Sequence, residues 1–202
     1  LTNPSLIGVI EGYWKRGGRI QFISNCGGGK VHQMIRDSVD HGASACYIHG
    51  GIADRTVKEG KVELIGEWLE LIRKEGVTAG IGGHRLETVK ACVEAGLKPD
   101  FWMKTFHSLD YWSALSEPNN HNNWCEDPAE TVAYMKELPE PWIAFKILAA
   151  GAIHPKDGFR YAFENGADFL CVGMYDFQIV DDVNIALKTL NSKLDRQRTW
   201  RA

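Results

Sequence analysis

Two apolar runs near the end of the chain decide the fold: Ala144-Phe-Lys146-Ile-Leu-Ala-Ala-Gly151-Ala-Ile-His154-Pro155 and Asn165-Gly-Ala-Asp168-Phe-Leu-Cys-Val-Gly173-Met174. The first run ends in Gly151, a helix-length segment opens at Pro155, and the second run ends in Gly173. This rhythm is typical of consecutive βα units in a parallel barrel. Because the carboxyl ends of barrel strands face one mouth, we expect residues just past each apolar run to converge on one site.

Strand-like runs alternate with helix-like patterns along the whole chain. The strands are predicted at residues 20–24, 43–49, 78–82, 101–105, 142–148 and 169–172. The helices are predicted at residues 30–41, 56–75, 86–95, 128–138, 155–164 and 179–190. A closed (β/α)8 TIM barrel has eight such units and typically about 250 residues. We therefore expect residues 1–202 to form a single α/β TIM-barrel domain that carries about six of the eight βα units. It would lack its first one to two units, with residues 1–4 as the end of a strand.

Composition and charge narrow the class of ligand. The chain has 202 residues, of which 44% are hydrophobic and 24% charged, and its formal net charge at pH 7 is −3. Such a chain has no basic field to attract phosphate backbones or anionic lipid, so we expect a small-molecule partner rather than nucleic acid or membrane. The five cysteines form no C-x-x-C pair and are expected to be reduced packing residues, which predicts a cytoplasmic protein. An incomplete barrel has unpaired strands at its sheet edges, so a homo-oligomer is an alternative that the sequence leaves open.

Four segments of the chain carry a resemblance to a known family. They are Ala45-Cys-Tyr-Ile-His49-Gly-Gly, residues 71–96 around Gly80-Ile-Gly-Gly-His84, Ile143-Ala-Phe-Lys146-Ile-Leu-Ala-Ala-Gly151, and residues 159–174. In order and spacing they resemble the fourth strand, the middle helix-strand-helix, the seventh strand and the eighth unit of the aldo/keto reductases. Long runs also look like uncharacterised bacterial barrel proteins that are distant relatives of those reductases. The resemblance covers most of residues 20–190.

The resemblance implies an oxidoreductase that acts on a small polar carbonyl or sugar-like compound with NADP(H), through a catalytic Tyr, Lys, Asp and His. His49 matches the histidine that orients the substrate. Asn25 stands where the family has its lysine, and an Asn cannot supply the cation that lowers the pKa of a phenol. Residues 1–4 offer no matching Asp or Tyr. We therefore expect an eroded catalytic tetrad.

The resemblance also assigns residues to the dinucleotide. They are Gly82, Gly83, His84, Gly151, Ala152, Gly173 and Met174. Gly82 and Gly83 replace the Ser-Asn pair that holds the nicotinamide amide in the family. Tyr175 and then Asp176 replace the basic residue that meets the 2′-phosphate, and an acidic residue there repels that phosphate. NADP(H) binding is therefore expected to be weakened.

Two lysines in the predicted strands point to a second chemistry. Lys104 and Lys146 fall inside strands, where a lysine is costly to bury unless it is paired or neutral. The runs that carry them also resemble the lysine strands of deoxyribose-phosphate-type aldolases. The alternative function is therefore a Schiff-base lyase on Lys104, assisted by Lys146, in which a neutral amine attacks a substrate carbonyl. Pairing of each lysine with a carboxylate or a backbone carbonyl is the structural alternative.

Three histidines allow a metal alternative. His49, His84 and His107 follow neighbouring predicted strands, and neutral imidazoles from three strands can bind a divalent metal. Ligands on separate strands give no local spacing signature. We therefore predict no metal site.

Residues 107–127 form a polar insertion after the run 101–105. A polar segment on the catalytic side of a barrel predicts a lid, and Trp124 would give it an apolar underside. A catalytically silent, ligand-binding barrel is a further alternative, because the family's lysine is absent at Asn25.

Overall fold

The computed structural model describes residues 4–28, 30–114 and 122–201. Its helices are α1 (Pro4–Lys15), α2 (Val31–Asp40), α3 (Gly50–Lys58), α4 (Val62–Lys74), α5 (Leu86–Glu94), α6 (Pro128–Glu137), α7 (Pro155–Glu164) and α8 (Ile179–Leu190). Its strands are β1 (Ile23–Cys26), β2 (Ala45–Ile48), β3 (Thr78–Gly83), β4 (Phe101–Thr105), β5 (Trp142–Phe145) and β6 (Phe169–Cys171). The backbone groups into two compact units, a first unit Leu1–Trp102 and a second unit Met103–Ala202.

The strands form a sheet in chain order, β1-β2-β3-β4-β5-β6. The pairs β1–β2, β2–β3 and β5–β6 are parallel. Within the described residues, a helix follows each strand along the chain. Parallel neighbours need such helical crossovers, because the chain must return to the same end of the sheet before the next strand. The predicted α/β class is therefore confirmed.

One face of α4 explains how the first unit builds its core. Ile65, Leu69 and Ile72 recur at three- and four-residue spacing on α4 and are buried, as an amphipathic helix requires. The helix packs on β2 and β3, where Ile48 and Ile81 are fully buried. Burial of each such side chain stabilises the fold by about 1.5–3 kcal/mol.

A buried carboxylate ties the C-terminal tail to the second unit. Asp168 accepts hydrogen bonds from the backbone N–H groups of Trp142 and Arg201, each at 2.9 Å. It also forms ion pairs with Arg196, at 2.7 Å, and with Arg198. Both guanidinium groups are buried, so charge-assisted hydrogen bonds rather than surface contacts hold this tail.

The predicted helix 56–75 is wrong, because two helices occupy that part of the chain. α3 starts earlier, at Gly50, and its C-cap is Glu59. Gly60 then adopts a φ of +70°, a left-handed conformation that ends a helix at little cost for glycine. α4 follows from Val62.

Other predicted boundaries also need correction. The strand 142–148 ends at Phe145, because Lys146 takes a φ of 60° that no strand accommodates. The strand 20–24 is displaced to Ile23–Cys26. Pro4 begins a helix rather than ending a strand, and the rest of the predicted strand end, residues 1–3, lies outside the described residues.

All five cysteines are free thiols. Four are buried, whereas Cys171 is exposed on β6. Burial raises the pKa of Cys92 to about 12, which keeps this thiol protonated and unreactive. Among the described helices, none is both long enough and apolar enough to cross a membrane.

Candidate functional site

His49 follows β2 and is the N-cap residue of α3. Its Nδ1 accepts a hydrogen bond from the backbone N–H of Gly51 at 3.0 Å. In the neutral tautomer this hydrogen bond places the ring proton on Nε2. A Cβ built on Gly27 would lie 2.7 Å from Cβ of His49 and 3.6 Å from Oδ1 of Asn25. The structure thus brings the predicted residues Asn25 and His49 close together.

His84 follows β3 and is paired with Asp54 of α3. Nδ1 of His84 lies 2.9 Å from Oδ2 of Asp54, and the hydroxyl of Thr88 donates to Oδ1 of Asp54 at 2.7 Å. Burial works against the ionised carboxylate, yet the hydrogen bonds from His84 and Thr88 outweigh it and hold the pKa of Asp54 below its ordinary value. Asp54 is therefore an anion that orients the imidazole.

The two histidines of the first unit are neighbours. Their ring centroids are 5.9 Å apart, and the rings meet edge to face at 64°. Glycine at position 50 permits this, since a Cβ on Gly50 would lie 2.9 Å from Cε1 of His84. His49, Asp54, His84 and Thr88 together are called the histidine cluster below.

Gly82 has a packing role that the resemblance did not suggest. A Cβ on Gly82 would lie 2.6 Å from the carbonyl oxygen of Ile48 and 2.7 Å from the backbone nitrogen of Gly50. Only glycine lets the ends of β2 and β3 approach this closely. Gly83 is less constrained, because a Cβ there would make ordinary contacts with its neighbours.

Lys104, a residue of the second unit, lies inside β4 as predicted and is only 1% exposed. Its Nζ donates to the carbonyl oxygen of Thr105 at 2.7 Å. A backbone carbonyl is the partner that the structural alternative expected, and it satisfies one of the three donors of the ammonium group.

Lys146 was predicted inside a strand and lies directly after one. Its φ of 60° is in the left-handed region, which costs a residue with a side chain about 1–2 kcal/mol. The turn places its Nζ 4.0 Å from the centroid of the Trp124 ring, a cation–π contact. The strained backbone therefore positions a charged group, and strained residues of this kind are typical of functional sites.

His107 holds the segment that contains Trp124. Its Nδ1 lies 2.9 Å from the carbonyl oxygen of Ser108, which accepts its proton, and its Nε2 accepts from the backbone N–H groups of Trp124, at 3.0 Å, and Cys125, at 3.1 Å. The ring is therefore a neutral tautomer whose lone pair is already used, which leaves none for a metal ion. Within the described ranges, no group of three or more His, Cys, Asp or Glu residues is arranged to hold a metal.

Burial, helped by the positive charges of Lys104 and Lys146, lowers the pKa of His107. The unfolded chain then binds more protons than the folded one near the ordinary histidine pKa, so the free energy of unfolding should fall as the pH drops below about 6.5. Urea unfolding at several pH values measures this loss. The variant His107→Gln keeps a hydrogen-bond acceptor but cannot titrate, so its free energy of unfolding should depend less on pH than that of the wild type. The control His41→Gln, at an exposed site, should show the same pH dependence as the wild type. Equal pH slopes in His107→Gln and the wild type would contradict this role.

A cavity of about 650 Å³ lies in the second unit. Five predicted site residues line it together: Lys146, Gly151, Ala152, Gly173 and Met174. Trp124, from the predicted lid 107–127, lines the same cavity. Residues 115–121 of that insertion lie outside the described residues.

Asp182 of α8 also lines this cavity, and the sequence analysis did not single it out. The residue as a whole is 5% exposed. A carboxylate in the lining of the cavity can accept hydrogen bonds from a ligand that offers hydroxyl groups. Its position, one residue after Asp181 in the first turn of a helix, indicated only a favourable negative charge near the helix N-terminus.

Comparison with known proteins does not assign the chain to a family. No family model matches the chain, and neither a curated protein nor a solved structure matches it.

Proposed function

We propose that this protein is a (β/α)8-barrel enzyme of aldo/keto reductase ancestry that reduces a small polar carbonyl compound with a nicotinamide cofactor, or in reverse oxidises the corresponding alcohol. The chain would supply six of the eight βα units. Parallel strands in chain order, each followed by a helix, support the barrel, in which the carboxyl ends of the strands carry the site. The observation that carries the enzymatic proposal is the His84–Asp54 pair beside His49.

The histidine cluster has the groups that carbonyl reduction requires. His49 would donate from Nε2 to the carbonyl oxygen and orient it. His84 would deliver the proton that this oxygen gains, while the Asp54 carboxylate at 2.9 Å compensates the charge of the protonated ring. In the reverse direction the His84 ring takes the proton back from the hydroxyl group. His84, predicted as a cofactor contact, is therefore assigned to proton transfer.

The cavity of the second unit would hold a dinucleotide that lacks a 2′-phosphate. A bound nicotinamide would supply the hydride. Gly151 and Gly173 leave backbone groups open to the dinucleotide, with Ala152 and Met174 beside them. The carboxylate of Asp182 would accept hydrogen bonds from ribose hydroxyls and repel a phosphate, so we expect this lining to favour NADH over NADPH.

Calorimetric titration with each dinucleotide tests the cofactor. We expect NADH to bind with a dissociation constant between about 1 µM and 1 mM, a usual range for enzyme ligands, and NADPH to bind at least about tenfold more weakly. Asp182→Asn should bring the two affinities together, whereas Asp181→Asn, an exposed neighbour outside the cavity, should not. Binding of neither dinucleotide would contradict the proposal.

A Schiff-base lyase is the second candidate, and the burial of Lys104 favours it. Lys104 and Lys146 both act electrostatically on His107, so their positive charges share one neighbourhood of the second unit. Such pairs of like charges are how lyases obtain a neutral amine. Of the two, Lys146 lines the cavity and would attack the carbonyl carbon, with loss of water to form the imine. Borohydride trapping of a carbonyl substrate on Lys146, lost in Lys146→Met, would select this candidate, and absence of any adduct would reject it.

A further inference from the structure

Helix α8 of the second unit carries an exposed apolar face. The face contains four exposed side chains at alternating spacings of three and four residues: Val180, Val183, Leu187 and Leu190. Asp182 and Thr189 lie on another face of the helix and are buried, and α8 packs on α7. An apolar stripe with this spacing is the pattern with which one helix packs against another. α8 therefore has one face packed within its own unit and a second packing face exposed to solvent.

Two aromatic side chains extend this apolar face just before α8. Tyr175 and Phe177 are 70% and 76% exposed, and their rings are stacked with centroids 5.4 Å apart. Met174 and Ile179 are exposed beside them. Together the exposed side chains present several hundred Å², on the order of the ~800 Å² that each partner contributes to a stable interface. An exposed apolar patch of this size marks an interaction site.

The charges on α8 favour a second copy of the chain as the partner. Asp181 lies in the first turn and Lys188 in the last turn, and both are exposed. If two α8 helices pack antiparallel with Val183 opposite Leu187 of the partner subunit, Asp181 lies level with Lys188 of the partner subunit. Two-fold symmetry repeats each of these pairs. Opposite charges and opposed helix dipoles are then neighbours, whereas a parallel pair would bring like charges together.

We propose that this face is a homodimer interface in which α8 packs antiparallel on α8 of a second copy, about a two-fold axis near Ile185. Val183 would contact Leu187 of the partner subunit, and Val180 would contact Leu190 of the partner subunit. Such an interface uses the same patch on both copies, so the assembly closes at two. The interface lies on the second unit and does not depend on the proposed carbonyl chemistry.

Sedimentation equilibrium of the wild-type protein between about 1 and 200 µM tests the dimer, and we expect a reversible monomer–dimer equilibrium within that range. Leu187→Asp should raise the dissociation constant by at least about a hundredfold, because symmetry places one carboxylate from each copy near the centre of the interface. Leu6→Asp is the matched control, since Leu6 is a leucine of similar exposure, 47% against 51%, on helix α1 of the first unit. This control should dimerise like the wild type.

Charge variants test the antiparallel direction of the two helices. Asp181→Lys should weaken the dimer by about three- to tenfold, because two attractive surface pairs become repulsive. The double variant Asp181→Lys with Lys188→Asp should regain the wild-type affinity, because the exchanged charges again face each other. Circular dichroism verifies that each variant is folded.

A wild-type protein that stays monomeric up to about 200 µM would overturn the proposal. A dimer that Leu187→Asp leaves intact, or that Leu6→Asp disrupts equally, would also overturn it, because the interface would then lie elsewhere. A dimer that Leu187→Asp disrupts but that the double charge variant does not restore would overturn the antiparallel arrangement.

Discussion

Asp168→Ala should lower the free energy of unfolding by about 3–5 kcal/mol, as expected when one partner of a buried ion pair is removed. The carboxylate pairs with two buried guanidinium groups, those of Arg196 and Arg198, and accepts two backbone hydrogen bonds. Without it, both cations would stay buried with no counter-charge. Only the hydrogen bonds of these guanidinium groups to backbone carbonyls, such as those of Phe163 and Leu138, would still hold the C-terminal tail.

Urea unfolding followed by tryptophan fluorescence measures this effect, with Asp195→Ala as the control. Asp195 is an exposed aspartate of the same tail that makes only a 3.3 Å side-chain contact with Gln197, and its removal should cost less than about 0.5 kcal/mol. A similar loss in the two variants would show that the buried network around Asp168 does not stabilise the tail.

His84→Asn should lower kcat for carbonyl reduction by about 10²–10⁴-fold, the contribution of a positioned acid or base. Asp54→Asn should lower kcat less, because it leaves the ring in place but removes the carboxylate that holds Nδ1 at 2.9 Å. Steady-state kinetics with a saturating dinucleotide checks both changes. His41→Gln is the matched control, since His41 is an exposed histidine paired with Glu11 at 2.9 Å, outside the histidine cluster.

A purely structural role for the pair would give a different result. Loss of activity in parallel with loss of folded protein, measured by circular dichroism and urea unfolding, would contradict a role in proton transfer. Full activity in a well-folded His84→Asn variant would contradict it as well.

Strong local patterns predict several elements of this fold. The strand Phe101–Thr105 and the helices Pro155–Glu164 and Ile179–Leu190 lie where the sequence places them, because apolar runs, a helix-opening proline and helical periodicity agree there. The strand at 142–148 was predicted too long for a physical reason. Ile147 and Ala149 lie beyond the strand but are still buried, so apolar composition alone cannot mark where the strand ends.

The candidate site was only partly predictable. His49 and Lys104 could be chosen because a histidine just past an apolar run and a lysine inside one are unusual. Asp54 could not, because it lies on a helix 30 residues before His84 and no local spacing connects them. Asp182 was missed for the same reason, since the cavity that a helical carboxylate lines is a property of the folded chain and not of the sequence.

The most direct test of the central claim is the rate of NADH oxidation by the wild-type protein in the presence of short hydroxylated aldehydes and ketones. The account predicts turnover of at least one such carbonyl compound, with one equivalent of the alcohol formed for each NADH consumed. No reduction above the uncatalysed rate, with any of these compounds and with either NADH or NADPH, would contradict it.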